Sequence, residues 1–195
     1  MSLADLLVDQ KQIISDKHHT SVEDGNPILT PSEMSEDSNR TFDVRLNSTH
    51  SDPDNTVATL HVEHFVDHTW QPFQPDIHTN GFLIFVYSCF ICQHTYLRMN
   101  ATEQKLCLAF ISGTFQLIAS NDWHVLAIHA DFNAYLSTGH ASHHQVDYLI
   151  DRMKGCPVSR NIGKDVDKNT SLTIHGVSNR SDIRSHACQK LGRTC

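Results

Sequence analysis

The chain has 195 residues, enough for one ordinary domain with a real core. Its hydrophobic content of 39% and charged content of 19% fit a globular protein, and a formal net charge of −7 argues against a nucleic-acid partner, which calls for a basic face. The start carries Asp5 where a secretory leader needs an apolar core, and no Lys or Arg before Lys11, so a cytoplasmic protein with thiols reduced at rest is expected.

Residues 3–14 set Leu3, Leu6, Leu7, Ile13 and Ile14 at helical spacing, predicting a short amphipathic helix. Residues 15–41, rich in Ser, Asp, Glu, Asn and Pro, read as a polar arm, so residues 1–41 form an N-terminal helix and arm. The main domain is expected over 42–177. Phe42–Asn47 reads as a strand and Ser48–Asn55 as a turn. Thr56–Val66 reads as a second strand, with Leu60, Val62 and Val66 on one face. Pro72, Pro75 and Gly81 mark 67–81 as a loop.

Phe82 to Ala101 is the stretch around which the rest is organised. Its start, Phe82-Leu83-Ile84-Phe85-Val86-Tyr87, is β-branched and aromatic and would suit a strand. Its length of about 20 residues without Gly or Pro suits a helix better, since buried strands rarely exceed ~8. Such a helix is roughly 30 Å long at ~1.5 Å per residue. Its first half is apolar on all sides and needs covering all round. The apolar run falls short of the ~18 residues that a membrane span requires, so no membrane partner is expected.

Leu106–Leu117 and Trp123–Leu136 read as an antiparallel hairpin turning at Ala119-Ser120-Asn121-Asp122. The second strand alternates, with Leu126, Ile128, Ala130, Phe132, Ala134 and Leu136 on one side. Ser142-His143-His144-Gln145 is a capping box, and Val146, Leu149, Ile150 and Met153 follow as one helical stripe. Gly155 ends that helix and leaves Cys156 just beyond it. Leu172–Val177 is predicted as a last strand, and residues 178–195 are a polar, basic tail. Strands, a long helix, a hairpin and a second helix make an α+β protein.

Fifteen histidines raise the question of metal. The spacing His61-x-x-His64-x-x-x-His68 would align ligands on a helix, but residues 61–66 read as a strand, where positions three apart face opposite ways. His140, His143 and His144 are read as solvated. Neither a metal nor another cofactor is expected. Cys89 and Cys92 form a Cys-x-x-Cys, but about two turns inside the helix rather than at its N-terminus, where the dipole would lower a thiol pKa. Cys89 is therefore read as a core residue.

Cys92 begins Cys-x-x-Thr-Tyr-Leu-Arg-Met-x-Ala, and Gly155-Cys156-Pro157-Val158-Ser159-Arg160 follows the later helix. Both segments, in this order, resemble the two cysteine motifs of the OsmC/Ohr family, and the resemblance covers roughly residues 42–176. It implies an OsmC-like fold: a curled antiparallel sheet around a long central cysteine-bearing helix, in an intertwined homodimer. It also implies thiol-dependent reduction of organic or inorganic hydroperoxides. Cys92 would be the peroxidatic thiol and Cys156 the resolving one, with an external dithiol as reductant. Peroxidase members activate the first thiolate with an arginine from an N-terminal strand, held by a glutamate at the helix start. Here the helix start is Asn80-Gly81-Phe82-Leu83, without an acid, and Arg45 is the arginine in the first strand. That departure supports the alternative of a non-catalytic, dimeric binding or structural protein with vestigial cysteines. Cys107, Cys188 and Cys195 are read as dispensable.

Overall fold

The computed structural model describes residues 39–176. The predicted helix at 3–14, most of the polar arm and the basic tail lie outside these residues.

Six strands form one sheet, in the order β3-β2-β1-β4-β5-β6. They are β1 (Arg40–Ser51), β2 (Thr56–Val66), β3 (Thr69–Pro72), β4 (Leu108–Ala119), β5 (Val125–Leu136) and β6 (Asp167–His175). Among the described residues three helices interrupt them: α1 (Gly81–Glu103), α2 (His143–Lys154) and α3 (Pro157–Asn161). All neighbouring strands are antiparallel except β5 and β6, which run parallel. The sheet is therefore mixed, which corrects the expected all-antiparallel one. The cause is the connection: α2 and α3 carry the chain back across the sheet, and a crossover returns the next strand in the same direction.

Alternation decides which side of the sheet meets the helices. Val44 and Leu46 of β1, Ile111, Phe115 and Leu117 of β4, and Ile128, Phe132 and Leu136 of β5 are buried in one core with Val86, Phe90 and Leu97 of α1. Phe90 touches Phe115 and Phe132, with ring centroids 5.3 Å from each. Gly113 makes that approach possible: a Cβ there would lie 2.9 Å from Phe132 Cδ1 and 3.0 Å from Phe90 Cζ.

α1 starts where Asn80 caps it, its side chain accepting from the Phe82 N–H at 2.8 Å. Its far end is tied to the β1–β2 turn by Asn55, which is buried at a positive φ of 50°. Asn55 Nδ2 donates to Thr102 Oγ1 at 3.0 Å and to the Leu106 carbonyl at 2.9 Å, while its Oδ1 accepts from the Leu108 N–H at 2.7 Å. α2 opens on the predicted capping box of Ser142 and Gln145. It docks on α1 through Asn100, whose Oδ1 accepts from Arg152 Nε at 2.6 Å.

Several boundaries differ from the sequence reading. The loop at 67–81 contains the short strand β3. β6 begins at Asp167 rather than Leu172, because Asp167-Lys168-Asn169 hide the strand behind polar side chains. On β2 only Val62 is buried, with Leu60 39% and Val66 37% exposed. Leu126 of β5 is likewise exposed. The helix α3, directly after Cys156, was not foreseen.

Candidate functional site

Cys92 lies midway along α1, half-buried, and Cys156 is fully buried in the junction between α2 and α3. The local sequence explains the second position. Gly155 ends α2, and Cys156 then acts as N-cap of α3 with Pro157 in its first turn, a position where the missing N–H of proline does no harm. α3 packs against α1, which sets Cys156 beside Cys92. The Cys156 thiol and the Val158 N–H are both near enough to act on the ionisation of Cys92. All four cysteines among the described residues, Cys89, Cys92, Cys107 and Cys156, are free thiols.

Behind Cys156 runs a short polar chain. Its Sγ–H donates to Ser159 Oγ at 3.2 Å, and the Ser159 N–H returns a hydrogen bond to Sγ at 3.4 Å. Gln93 Nε2 donates to Ser159 Oγ at 3.2 Å, and Thr170 Oγ1 donates to Gln93 Oε1 at 3.5 Å. Ser159, Gln93 and Thr170 are all buried. Sequence reasoning missed this chain. Ser159 had one visible signal, its place three residues after an N-cap followed by proline.

Burial raises the Cys92 thiol to about 11; the Val158 N–H works the other way, and the Cys156 thiol adds to the rise. Cys89, one turn earlier, is pushed up to about 12, first by burial and then by the neighbouring Cys156 and Cys92. It is a core residue, as read, but it also lies within electrostatic range of both other thiols. On the opposite side of α1 is a histidine pair. Ser48 Oγ is 2.9 Å from His94 Nε2 and 2.9 Å from His50 Nε2. Burial, then His50 and Arg98, lower His94 to about 3, so it is a neutral core histidine.

Arg45 does not reach Cys92 within the chain. It sits between Val44 and Leu46, which face α1, and so points to the other side of the sheet. There its Nε donates to Glu63 Oε2 at 2.6 Å, and its guanidinium lies 4.5 Å from the Trp70 ring centre. Arg98 Nη1 donates to the Asn55 carbonyl at 3.2 Å, and Arg160 is exposed. Asp76 closes a turn ahead of α1 by accepting from the His78 N–H at 2.9 Å. His61 and His64 lie on β2, three apart and therefore on opposite faces. Among the described residues, no group of three His, Cys, Asp or Glu side chains is gathered as a metal site.

A groove of about 640 Å³ has Phe85, Val125, Pro157, Val158, Ile162 and Val166 among its walls. Phe85 is two turns before Cys92 on the same stripe of α1, and Val158 is the residue whose N–H lowers the Cys92 thiol against the effect of burial. The groove is mostly apolar, and Pro157 and Val158 in its wall directly follow Cys156 in the chain.

No protein-family model matches the chain, and no curated protein does. Solved structures do. An OsmC-like hydroperoxide resistance protein from Jannaschia sp. CCS1 is 13% identical with a TM-score of 0.45, over 64% of this chain and 87% of that one. An OsmC-like protein from Mycoplasma pneumoniae is 11% identical with a TM-score of 0.42, over 66% and 94%. An organic hydroperoxide resistance protein from Legionella pneumophila is 20% identical with a TM-score of 0.37, over 65% and 94%. The chain is similar in structure to OsmC-like proteins. Likeness at this level assigns no role to any residue. No helix among the described residues is long and apolar enough to cross a membrane.

Proposed function

We propose that the chain is a two-thiol hydroperoxide reductase with Cys92 as the peroxidatic and Cys156 as the resolving residue. What supports this reading is the packing of α3 on α1, which sets Cys156 near enough to Cys92 for its thiol to act on that sulfur. A Cys92 thiolate attacks the outer peroxide oxygen, the O–O bond breaks, and the alkoxide leaves with a proton as an alcohol. Cys92 is left as a sulfenic acid. Cys156 then attacks that sulfur, water leaves, and a disulfide forms. An external dithiol returns both sulfurs to thiols and is itself oxidised. The apolar groove walled by Pro157 and Val158, which follow Cys156, supports an organic hydroperoxide, whose hydrocarbon tail would leave water on entering it. Hydroperoxide resistance is also what two of the similar solved proteins are named for.

The reading includes a second copy of the chain. Ile84 and Met99 of α1 stay exposed, as do Trp123 and Leu126 on the β4–β5 side. A homodimer would cover the part of α1 that one chain leaves open.

One observation favours the non-catalytic alternative: the Cys92 thiol is raised to about 11, and no arginine figures among the groups acting on it. Peptide mapping after one equivalent of an organic hydroperoxide separates the two readings. The enzyme gives a Cys92–Cys156 linked peptide. Cys92→Ser abolishes hydroperoxide consumption, while Cys156→Ser allows one turnover and then accumulates sulfinic acid at Cys92. Free thiols at both positions after excess peroxide would establish the vestigial reading instead.

A further inference from the structure

A second cavity, of about 300 Å³, opens where α1, the end of α2, α3 and β6 come together, and it shares only Ile162 with the apolar groove. Its inner wall is made by Cys89 and Gln93 of α1, Ile128 of β5, Ser159 of α3 and Thr170 of β6, all buried. Lys154, at the end of α2, and Lys168 of β6 also line it, and both are exposed, so they form its mouth. The chain carries a formal net charge of −7, yet this cavity has two ammonium groups and no carboxylate among its walls.

Four of these side chains bring unspent hydrogens to the same space. Ser159 Oγ accepts from both Cys156 and Gln93, so its own hydrogen is left to give. Gln93 Nε2 spends one hydrogen on Ser159 and keeps the other. Lys168 Nζ donates to the Ile162 carbonyl at 3.1 Å and keeps two. Lys154 has neither a hydrogen bond nor a carboxylate partner among the described residues. A carboxylate only accepts, and it carries the matching charge. Ile128, Ile162 and Cys89 supply the rest of the wall. Burial keeps the Cys89 thiol protonated, pushed up to about 12, so it is an apolar neighbour. Such a wall suits a short hydrocarbon body rather than a bare inorganic anion. The walls also lack an arginine, whose planar fork matches phosphate.

We propose that this cavity binds a small organic carboxylate, its oxygens held by Lys154, Lys168 and the Ser159 hydroxyl and its hydrocarbon body set against Ile128 and Ile162. The volume is at the small end of ligand pockets, which start at about 300 Å³, and suits an acid of about the size of benzoate. Ser159 places the site one hydrogen bond from the Cys156 sulfur, but binding there does not require that sulfur to react.

Two-dimensional NMR on the isotope-labelled full chain tests it, with benzoate, isovalerate and hexanoate as probes, each beside its neutral amide, and with inorganic phosphate. At least one carboxylate should shift the Gln93 side-chain amide and the Ser159 and Thr170 backbone amides to saturation. Its neutral amide should bind ~10-fold or more weakly, since it lacks the charge that both lysines meet. Lys154→Gln combined with Lys168→Gln should weaken the carboxylate by ~10-fold or more, and both side chains are exposed, so the fold should survive. Lys105→Gln should leave binding unchanged, because Lys105 follows Gln104, which meets the first turn of α2, whereas Lys154 ends that helix. No saturable shift from any carboxylate at millimolar concentration would overturn the proposal. So would an amide that binds as tightly as its acid, an equal loss in Lys105→Gln, or tighter binding of inorganic phosphate.

Discussion

At the scale of single residues, the chemistry turns on one proton. With its thiol raised to about 11, Cys92 is a thiolate in only about one molecule in ten thousand at pH 7. Its alkylation by iodoacetamide, and its oxidation by an organic hydroperoxide, should therefore rise ~10-fold per pH unit from pH 7 toward about 11, since the thiolate is the nucleophile. The same shift bears on stability. An unfolded thiol loses its proton near its ordinary value of 9.0, while the native Cys92 keeps it to about 11. Between these values the native state holds more protons than the unfolded one, so stability is full below 9 and declines as pH rises through that window. Cys89, pushed up to about 12, adds a decline of the same sign. Stopped-flow labelling of the single-cysteine variant that retains Cys92 checks the first claim. A rate that levels off by pH 8 would mean that a cation outside the described contacts activates the sulfur.

At the scale of elements, packing around α1 makes Gly113 the position least able to change. Phe90 and Phe132 are both fully buried, so neither ring can move away from an added methyl group. Gly113→Ala should destabilise by about 1–3 kcal/mol, as overpacking does. Urea denaturation should show a lower midpoint with an unchanged slope, and adding Phe90→Leu should recover part of the loss by making room. A midpoint equal to wild type would mean that the sheet shifts at no cost. Much of this level was legible in the sequence. The capping box at Ser142 and the stripe from Val146 to Met153 gave α2, and β5 alternates as read from Ile128 to Leu136. Phe82–Ala101 became Gly81–Glu103 because length outweighed the β-branched start. What was hidden has physical causes. β6 opens on three polar residues, and α3 is too short to show a period. Arg45 illustrates a signal present but unused: its neighbours Val44 and Leu46 face the core, and in a strand that alone turns Arg45 away. The site was legible by halves. Residue types and motifs singled out Cys92 and Cys156, while Ser159, Gln93 and Thr170 come together only through the fold.

At the scale of the whole molecule, the question is what covers α1. Its first half was read as apolar on all sides, and one chain buries only part of it. The sheet covers the side carrying Val86, Phe90 and Leu97, and α2 and α3 cover a second side. Ile84 remains 37% exposed and Met99 53%, at opposite ends of the helix. Trp123 and Leu126 add apolar surface near its start, 43% and 41% exposed. Single exposed apolar residues are ordinary, but two on one core helix with two more beside its start mark an interaction surface. A second copy of the chain is the simplest cover. An isologous contact would set the same stripe of both helices together and would bring the partner's polar side chains toward each thiol groove. Sedimentation velocity at micromolar concentration should then give a dimer. Ile84→Lys and Met99→Glu should shift it toward monomer, because each places a charge in a surface that must be dry. The pH profile of Cys92 labelling, measured on dimer and monomer, connects this to the chemistry. If the partner supplies a cation, the dimer will reach its plateau at a lower pH than the monomer. If the wild-type chain sediments as a folded monomer at every concentration, the dimer is wrong, and the exposed stripe on α1 needs a different occupant.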